Sequence, residues 1–367
     1  MIHWGSSGAG PRLLYELAAE FAASDGRELI VSYNTGAELG PQFVLLKSRA
    51  IPVATYTSKI TLLTGLPRLL RTSLTLRRDI RKYGVTTVYS PMFNIWQSIS
   101  MWIWLPRETV FVATVHDFVS HPGDEHFIKS LSRRIEINRS NGLVTYSKNV
   151  GMLVAEAGYN RPIHASVHPA FESRSNPEPR ELPKRTITIG FFGRIQEYKG
   201  LDLLADAFAQ LRANGLDCQL VVYGSGDERL LASFSGRPGV FLQEGWVPES
   251  DVNRVVGSFD VLVLPYREAS QSGVLALAMG EGVPIVATPV GSLPEQIHSS
   301  GAGVVAKAVS VPDIVEALTL LLTDEDLYRS ASASGISASR SRYSWRAHQG
   351  ELSRFFADVR LSGIEVS

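Results

Sequence analysis

Arg194 and Lys199 lie five residues apart in the turn Gly193-Arg-Ile-Gln-Glu-Tyr-Lys-Gly200, between an apolar run, Ile187–Phe192, and a segment at helical spacing, Leu201–Ala213. Arginine can fork onto phosphate oxygens and lysine supplies a compact charge, so the pair suits a pyrophosphate. Two solvated loop cations are the plainer reading; the flanking glycines and the strand–turn–helix setting favour the phosphate. Ser272-Gly273 precedes the apolar helix expected over Val274–Gly280. Backbone N–H groups at a helix start attract an anion, and Gly273 lets a phosphate or sugar approach the chain closely. An N-cap serine with a packing glycine would read the same way. Gly224-Ser225-Gly226 is either a nucleotide-facing turn or a tight connection. His116-Asp117 ends the apolar run Thr109–Val115, placing a ring that titrates near neutral pH where a ligand could meet it, although surface His-Asp pairs are common. The loop Gly5-Ser-Ser-Gly8-Ala-Gly10-Pro-Arg12 enters a helix and could also approach a phosphate, without the full dinucleotide fingerprint. No HExxH, paired CxxC or His/carboxylate cluster suggests a metal, and no Gly-x-Ser-x-Gly elbow suggests a serine nucleophile.

These residues need a scaffold that brings the ends of several strands together. Apolar runs at Ile187–Phe192, Cys218–Tyr223, Val261–Tyr266 and Val283–Thr288 alternate with small-residue turns and helical segments. That alternation predicts a parallel α/β sheet, whose ligands bind beyond the carboxyl ends of the strands. The first half repeats it less clearly. A helix is expected over Pro11–Ala23, strands over Glu28–Tyr33, Val85–Tyr89, Thr109–Val115 and Gly142–Tyr146, and a helix over Asn149–Ala157 closed by Gly158. Residues 172–186 carry three prolines among many charges and read as a linker or long exposed loop. Helices are expected over Pro312–Leu322, Asp324–Ser334 and Trp345–Val359.

The 367 residues favour two domains, and 44% apolar content suffices for two cores. Charge balances at 36 against 36, so no overall field points to nucleic acid. The single cysteine, Cys218, falls in an expected buried strand and reads as a small core residue; with no signal peptide or spanning segment in view, a cytoplasmic location is expected. Leu62–Lys82 holds Arg68, Arg71, Arg77, Arg78, Arg81 and Lys82 against one acid, Asp79. A helical wheel sets Arg68, Arg71, Arg78 and Lys82 opposite Leu62, Leu66, Leu69, Leu70, Leu76 and Ile80, which suits either an anionic membrane surface or a solvated helix packed on a core. Trp96, Trp102 and Trp104 are read first as core, and otherwise as an apolar acceptor contact.

Taken together, these motifs resemble the retaining GT-B glycosyltransferases of glycosyltransferase family 4. The likeness is clearest over Gly193-Arg194, Lys199-Gly200-Leu-Asp-Leu-Leu, Gly224-Ser-Gly226, Gly245-Trp-Val-Pro, Asp260-Val-Leu-Val-Leu-Pro265, Ala278-Met-Gly-Glu-Gly282-Val-Pro284 and Gly291-Ser-Leu-Pro294-Glu295. It is thinner over Gly8–Ala18, Thr114-Val-His116-Asp117, Tyr146-Ser147-Lys148 and Tyr343-Ser344-Trp345. The resemblance implies two doubly wound Rossmann-like domains facing across a cleft: 1–171 for the acceptor, a linker at 172–186, 187–344 for the nucleotide sugar, and a helix in 345–367 crossing back to the first domain. It implies Arg194 and Lys199 on the donor pyrophosphate, with Gly193 and Gly224 beside it. Backbone N–H groups of Ser272, Gly273 and Val274 would meet phosphate and sugar, His116 the transferred sugar, Gly8, Gly10 and Arg12 the phosphates and acceptor, and Val247 the base.

One departure stands out. The family's two glutamates, eight residues apart, align with Ala269 and Leu277 here; Glu268 or Gln271 would then take over a sugar contact. The expected activity is transfer of a sugar from a nucleoside diphosphate to a hydroxyl, with retention, no metal and no cofactor beyond the donor. The expected acceptor is a lipid-linked glycan of surface-polysaccharide assembly, reached at the inner face of the cell membrane through Leu62–Lys82. A nucleotide-sugar epimerase of the same fold and a non-catalytic scaffold are the alternatives.

Overall fold

The computed structural model describes residues 1–24, 28–56, 59–118, 127–171, 176–234 and 236–364. The first residues of the proline-rich stretch, 172–175, lie outside them. The described chain forms two compact units: 1–118, 127–166 and 348–364 in the first, 167–171 and 176–347 in the second.

The first unit carries β1 (Ile2–His3), β2 (Ile30–Asn34), β3 (Arg49–Val53), β4 (Thr87–Ser90), β5 (Val110–Val115), β6 (Gly142–Thr145) and β7 (Ile163–Ala165). All pairings are parallel, in the orders β1-β2-β3 and β4-β5-β6-β7, and β1 lies beside β4 without a ladder between them. Apolar side chains of β4, β5 and β6 pack with Trp4, Trp96 and Trp104, all fully buried, whereas Trp102 is exposed. Two of the three tryptophans of the 94–105 stretch are therefore core.

The second unit carries β8 (Ile187–Phe192), β9 (Cys218–Gly224), β10 (Val240–Glu244), β11 (Val261–Leu264), β12 (Ile285–Ala287) and β13 (Gly303–Val305) in one parallel sheet, ordered β10-β9-β8-β11-β12-β13. The central strand β11 runs as a continuous apolar, fully buried stretch, as expected of a strand covered on both faces. Cys218 is buried there as expected, and burial pushes its thiol up to about 11.

The linker expected over 172–186 is not loose in its latter half. The Arg180 guanidinium donates to the carbonyls of Phe259, Gly257 and Glu281 at 2.8–3.0 Å, and the Arg185 guanidinium forks onto Asp260 at 2.8 Å. Prolines remove donors, but arginines in the same stretch supply others, and buried carbonyls claim them. Residues 167–171 join the second unit: Ala170 N–H donates to Tyr343 O at 2.7 Å and Phe171 packs on Trp345. The helix Trp345–Ile364 continues into the first unit, where Phe356 packs on Phe21 and Tyr89.

A carboxyl is buried in the first unit. Glu136, on the helix Phe127–Arg139, accepts from Ser98 Oγ at 2.6 Å and from Gln97 Nε2 at 3.1 Å. Its Oε2 and the Gln97 Oε1 are two acceptors with no donor among the described residues. Burial pushes the carboxyl up to about 7, with hydrogen bonds from Ser98, Ser90 and Gln97 opposing. An unfolded glutamate titrates at about 4.3. Between that value and about 7 the folded protein holds a proton that the unfolded chain has lost, so stability falls as pH rises through this window. Glu136→Gln carries a permanent donor in place of the titrating proton. It is expected to be more stable than wild type at pH 8, on the order of 1–3 kcal/mol, and equal to it near pH 4. Urea unfolding at the two pH values measures this; the same difference at both would contradict it.

Candidate active site

β8 and β11 are the switch point of the second sheet: neighbouring strands whose following connections leave to opposite sides, opening a crevice at their carboxyl ends. The turn after β8 carries Gly193, the exposed Arg194 and the half-buried Lys199, which ends a short 3-10 turn, Glu197–Lys199. The turn after β9 packs directly on it. Gly193 N–H donates to Tyr223 O at 3.0 Å and Ile195 N–H to Ser225 O at 2.9 Å. A Cβ at Gly224 would overlap the Gly193 carbonyl, so only glycine lets the two turns touch. Gly224 thus serves as a tight connection against the Arg194 turn. Gly245 N–H, after β10, donates to Gly224 O at 3.0 Å, placing Val247 on the same edge of the sheet.

The turn after β11 is stapled to the Arg194 turn. Arg267 forks onto Asp202 at 2.6 and 2.7 Å, and its N–H donates to Tyr198 O at 2.7 Å. The Arg267 guanidinium beside it holds the Asp202 carboxyl below its ordinary value. Lys199 Nζ lies 3.7 Å from the centroid of the Tyr266 ring. The helix start expected here is present, one residue earlier than its spacing suggested. It spans Gly273–Gly280, with Ser272 as N-cap accepting from Leu275 N–H at 3.3 Å. The turn after β12 braces it, through Ser292 Oγ to Ser270 O at 2.7 Å and Gln296 Oε1 to Ser272 N–H at 3.3 Å. Gly193, Arg194, Lys199, Gly224, Val247, Glu268, Gln271, Ser272, Gly273 and Val274 therefore all follow strands of one sheet at their carboxyl ends. Their cations and helix start can oppose the negative charge of a phosphate.

The two positions that lack glutamate differ in setting. Leu277 is buried within the helix, and Ala269 is half-buried in the loop. Glu281 does not replace Leu277: it is buried beyond the helix and accepts from Asn253 Nδ2 at 2.6 Å. Glu268 is exposed, and the Gln271 Oε1 is buried with no hydrogen-bond donor among the described residues.

Gly8, Gly10, Arg12 and His116 belong to the first unit. Gly8 and Gly10 sit at the start of the helix Ala9–Ala23, and Arg12 pairs with Glu16 at 3.5 Å. His116 follows β5; its Nε2–H donates to Pro91 O at 2.8 Å and its ring meets Tyr146 edge-on at 5.0 Å. Burial lowers its basicity, against the pull of the Pro91 carbonyl and Asp117, so the neutral ring prevails at neutral pH. Sequence reasoning missed His3, at the end of the two-residue β1. It is buried, its Nδ1–H donates to Met92 O at 3.0 Å, and its ring fills the space that a Cβ on Gly10 would take. Burial drops it to about 4. It buttresses the glycine loop as a neutral ring. A cavity of about 400 Å³, lined by Met1, Tyr83 and Arg360 among others, lies at the opposite, amino-terminal edge of these strands.

The cationic stretch is two helices, Lys59–Thr64 and Leu66–Lys82, separated by Gly65. Leu69, Leu76 and Ile80 face the core, but Leu66 and Leu70 do not; with Leu74 they form a half-exposed stripe at helical spacing. The wheel had merged two leucine faces, because apolar content alone does not say which face the core takes.

Residues 186–324 match the family described as Glycosyl transferases group 1. Over that stretch the chain is similar to this family. It is similar to phosphatidyl-myo-inositol mannosyltransferase of Mycobacterium leprae, 29% identical over 195 residues, which are 52% of each protein. It is also similar to alpha-D-kanosaminyltransferase of Streptomyces kanamyceticus, 25% identical over 185 residues, 49% of this chain and 47% of that one. The chain thus spans about half the length of the curated relatives it matches. A structure of Anabaena HepE in complex with UDP and glucose superposes with a TM-score of 0.70 at 13% identity, over 97% of this chain and 98% of that one. The chain has the GT-B fold, with two Rossmann-like units. Among the described residues no helix is long and apolar enough to cross a membrane.

Proposed function

We propose that this chain is a retaining glycosyltransferase that moves a sugar from a nucleoside diphosphate to a hydroxyl acceptor. The observation that carries the reading is the convergence of Arg194, Lys199 and the Ser272–Val274 helix start at the switch point of the second sheet. In the transfer, the bond between the sugar's anomeric carbon and the diphosphate oxygen breaks, and the acceptor oxygen bonds to that carbon on the same face. The acceptor proton passes to the departing phosphate. Charge grows on the leaving group, and fixed donors aimed at it lower the barrier. Arg194, Lys199 and the N–H groups of Gly273 and Val274 supply those donors, so no metal is required. His116, neutral and oriented by Pro91, positions the sugar rather than adding charge. A UDP-glucose type of donor is supported by the HepE likeness, in which UDP and glucose are bound.

The acceptor proposed is a lipid-linked saccharide of surface-polysaccharide assembly, met at an anionic membrane surface. A phosphatidyl-inositol mannosyltransferase among the relatives supports a lipid acceptor. So does the half-exposed stripe Leu66, Leu70 and Leu74 beside Arg71 and Arg78, which suits a helix lying in a bilayer interface.

Turnover with UDP-glucose or GDP-mannose and a bacterial lipid extract, read by product analysis, tests the transfer. Arg194→Ala is expected to lose about 100-fold or more in kcat, and EDTA to leave the wild-type rate unchanged. A rate near wild type in Arg194→Ala would contradict the assignment. Conversion of the donor sugar without acceptor would indicate an epimerase, and nucleotide binding without turnover a scaffold. For the membrane, co-sedimentation with vesicles containing phosphatidylglycerol is expected to weaken with salt and to fall several-fold in Leu70→Glu/Leu74→Glu. Absence of wild-type binding at physiological salt would remove the membrane from the account.

A further inference from the structure

Tyr266 has no part in the transfer just described, yet it lies beside two of the groups that would hold the diphosphate, Lys199 and the Ser272 cap. It follows β11 and is fully buried. Its carbonyl accepts from Thr288 Oγ1 at 2.5 Å, and the next peptide N–H, of Arg267, donates to Tyr198 O at 2.7 Å, so its backbone is fixed on both sides. The Lys199 ammonium lies over its ring face at 3.7 Å, with the Tyr198 ring at 5.0 Å. A cation over an aromatic face is attracted by the ring quadrupole, more so as water is excluded. The Tyr266 hydroxyl is buried and makes no hydrogen bond among the described residues. Ser272 stands close enough to offset part of the effect of burial on that hydroxyl, but short of hydrogen-bond geometry. A buried hydroxyl left unpaired is costly, so a nearby acceptor or donor is a natural partner for it.

We propose that Tyr266 is the positioning residue of the donor site: its ring seats Lys199, and its hydroxyl pairs with the Ser272 cap when a diphosphate occupies the helix start. This deepens the donor-site reading and rests on it. A lysine on four rotatable carbons loses much freedom when it binds an anion. A seat on a rigid ring removes that freedom beforehand, leaving more of the charge interaction for the ligand. The single side chain of Tyr266 then sets the spacing between the ammonium and the helix start.

Calorimetric titration with UDP and GDP, and with uridine and guanosine, separates the parts. Tyr266→Met, which keeps a bulky apolar side chain but loses the ring face, is expected to weaken the diphosphate that binds by about three- to thirty-fold. It should leave the matching nucleoside unchanged. Combined with Lys199→Ala, it should cost nothing beyond Lys199→Ala alone, because the seat matters only through the lysine. Tyr266→Phe keeps the seat, folds as wild type, and loses only the smaller hydroxyl contribution. The wild-type protein carries a test independent of any core substitution: ring current should shift the Lys199 ε-methylene protons upfield in the proton NMR spectrum, in a resonance absent from Lys199→Arg. If a diphosphate binds the wild type but Tyr266→Met binds it equally well, if the two losses add, or if no shifted lysine resonance exists, the positioning role is overturned and the donor site stands. If neither diphosphate binds the wild type, the donor-site reading fails and takes this inference with it.

Discussion

The parallel pairing of β8 with β11 is the constraint on which the second unit depends. It makes neighbours of two strands that begin at Ile187 and Val261, far apart in the chain, whose following turns would otherwise have no reason to meet. Once they are neighbours, the turn bearing Lys199 and the turn bearing Tyr266 share one crevice, and Arg267 closes the gap by forking onto Asp202. The bracing of the Ser272 cap by Ser292 and Gln296 then follows from β12 lying on the far side of β11. None of these contacts needs a ligand to exist. Lys199 and the Ser272–Val274 helix start, which would face a diphosphate, are held by backbone and buried side chains, which is the preorganisation that makes fixed charge effective.

Much of this was legible in the residues. β11 reads as an unbroken apolar run, and β8 and β9 as apolar runs interrupted once each, at Thr188 and Gln219, because strands covered by helices on both sides have little polar face. Arg194 and Lys199 stood out because they sit between such a run and a helix. Strands at the sheet margins were not legible. β3 contains Pro52 and opens on Arg49, and β10 ends in Gln243-Glu244; an edge strand pairs on one side only and tolerates both. β1 is two residues long, too short for any period to show, and so His3 passed unnoticed although it shapes the glycine loop. Tyr266 was hidden differently: it read as the last residue of a buried strand, and only its place under Lys199 distinguishes it from core.

The same limits explain the cationic helix. Composition marked it as basic and amphipathic, and both properties hold. Composition could not divide its leucines between the core and the outside, because that choice is made by the packing of Leu69, Leu76 and Ile80 in the first unit. The missing carboxylates are a further case. Spacing located Ala269 and Leu277, but only the structure showed that Glu281 is taken up by Asn253 and that Gln271 keeps a buried, unpartnered oxygen beside the helix start.

Recognition of phosphate by the second unit is measured most directly by thermal unfolding. UDP, GDP, ADP, CDP and dTDP, each at about 1 mM, are compared with the corresponding nucleosides. A ligand at ~100 times its dissociation constant adds roughly 2.7 kcal/mol of stability, several degrees for a protein of this size. The expected result is a clear rise in Tm with at least one diphosphate and little or none with its nucleoside. No rise with any diphosphate, or an equal rise with the nucleoside alone, would contradict the claim that Arg194, Lys199 and the Ser272–Val274 helix start form an anion site.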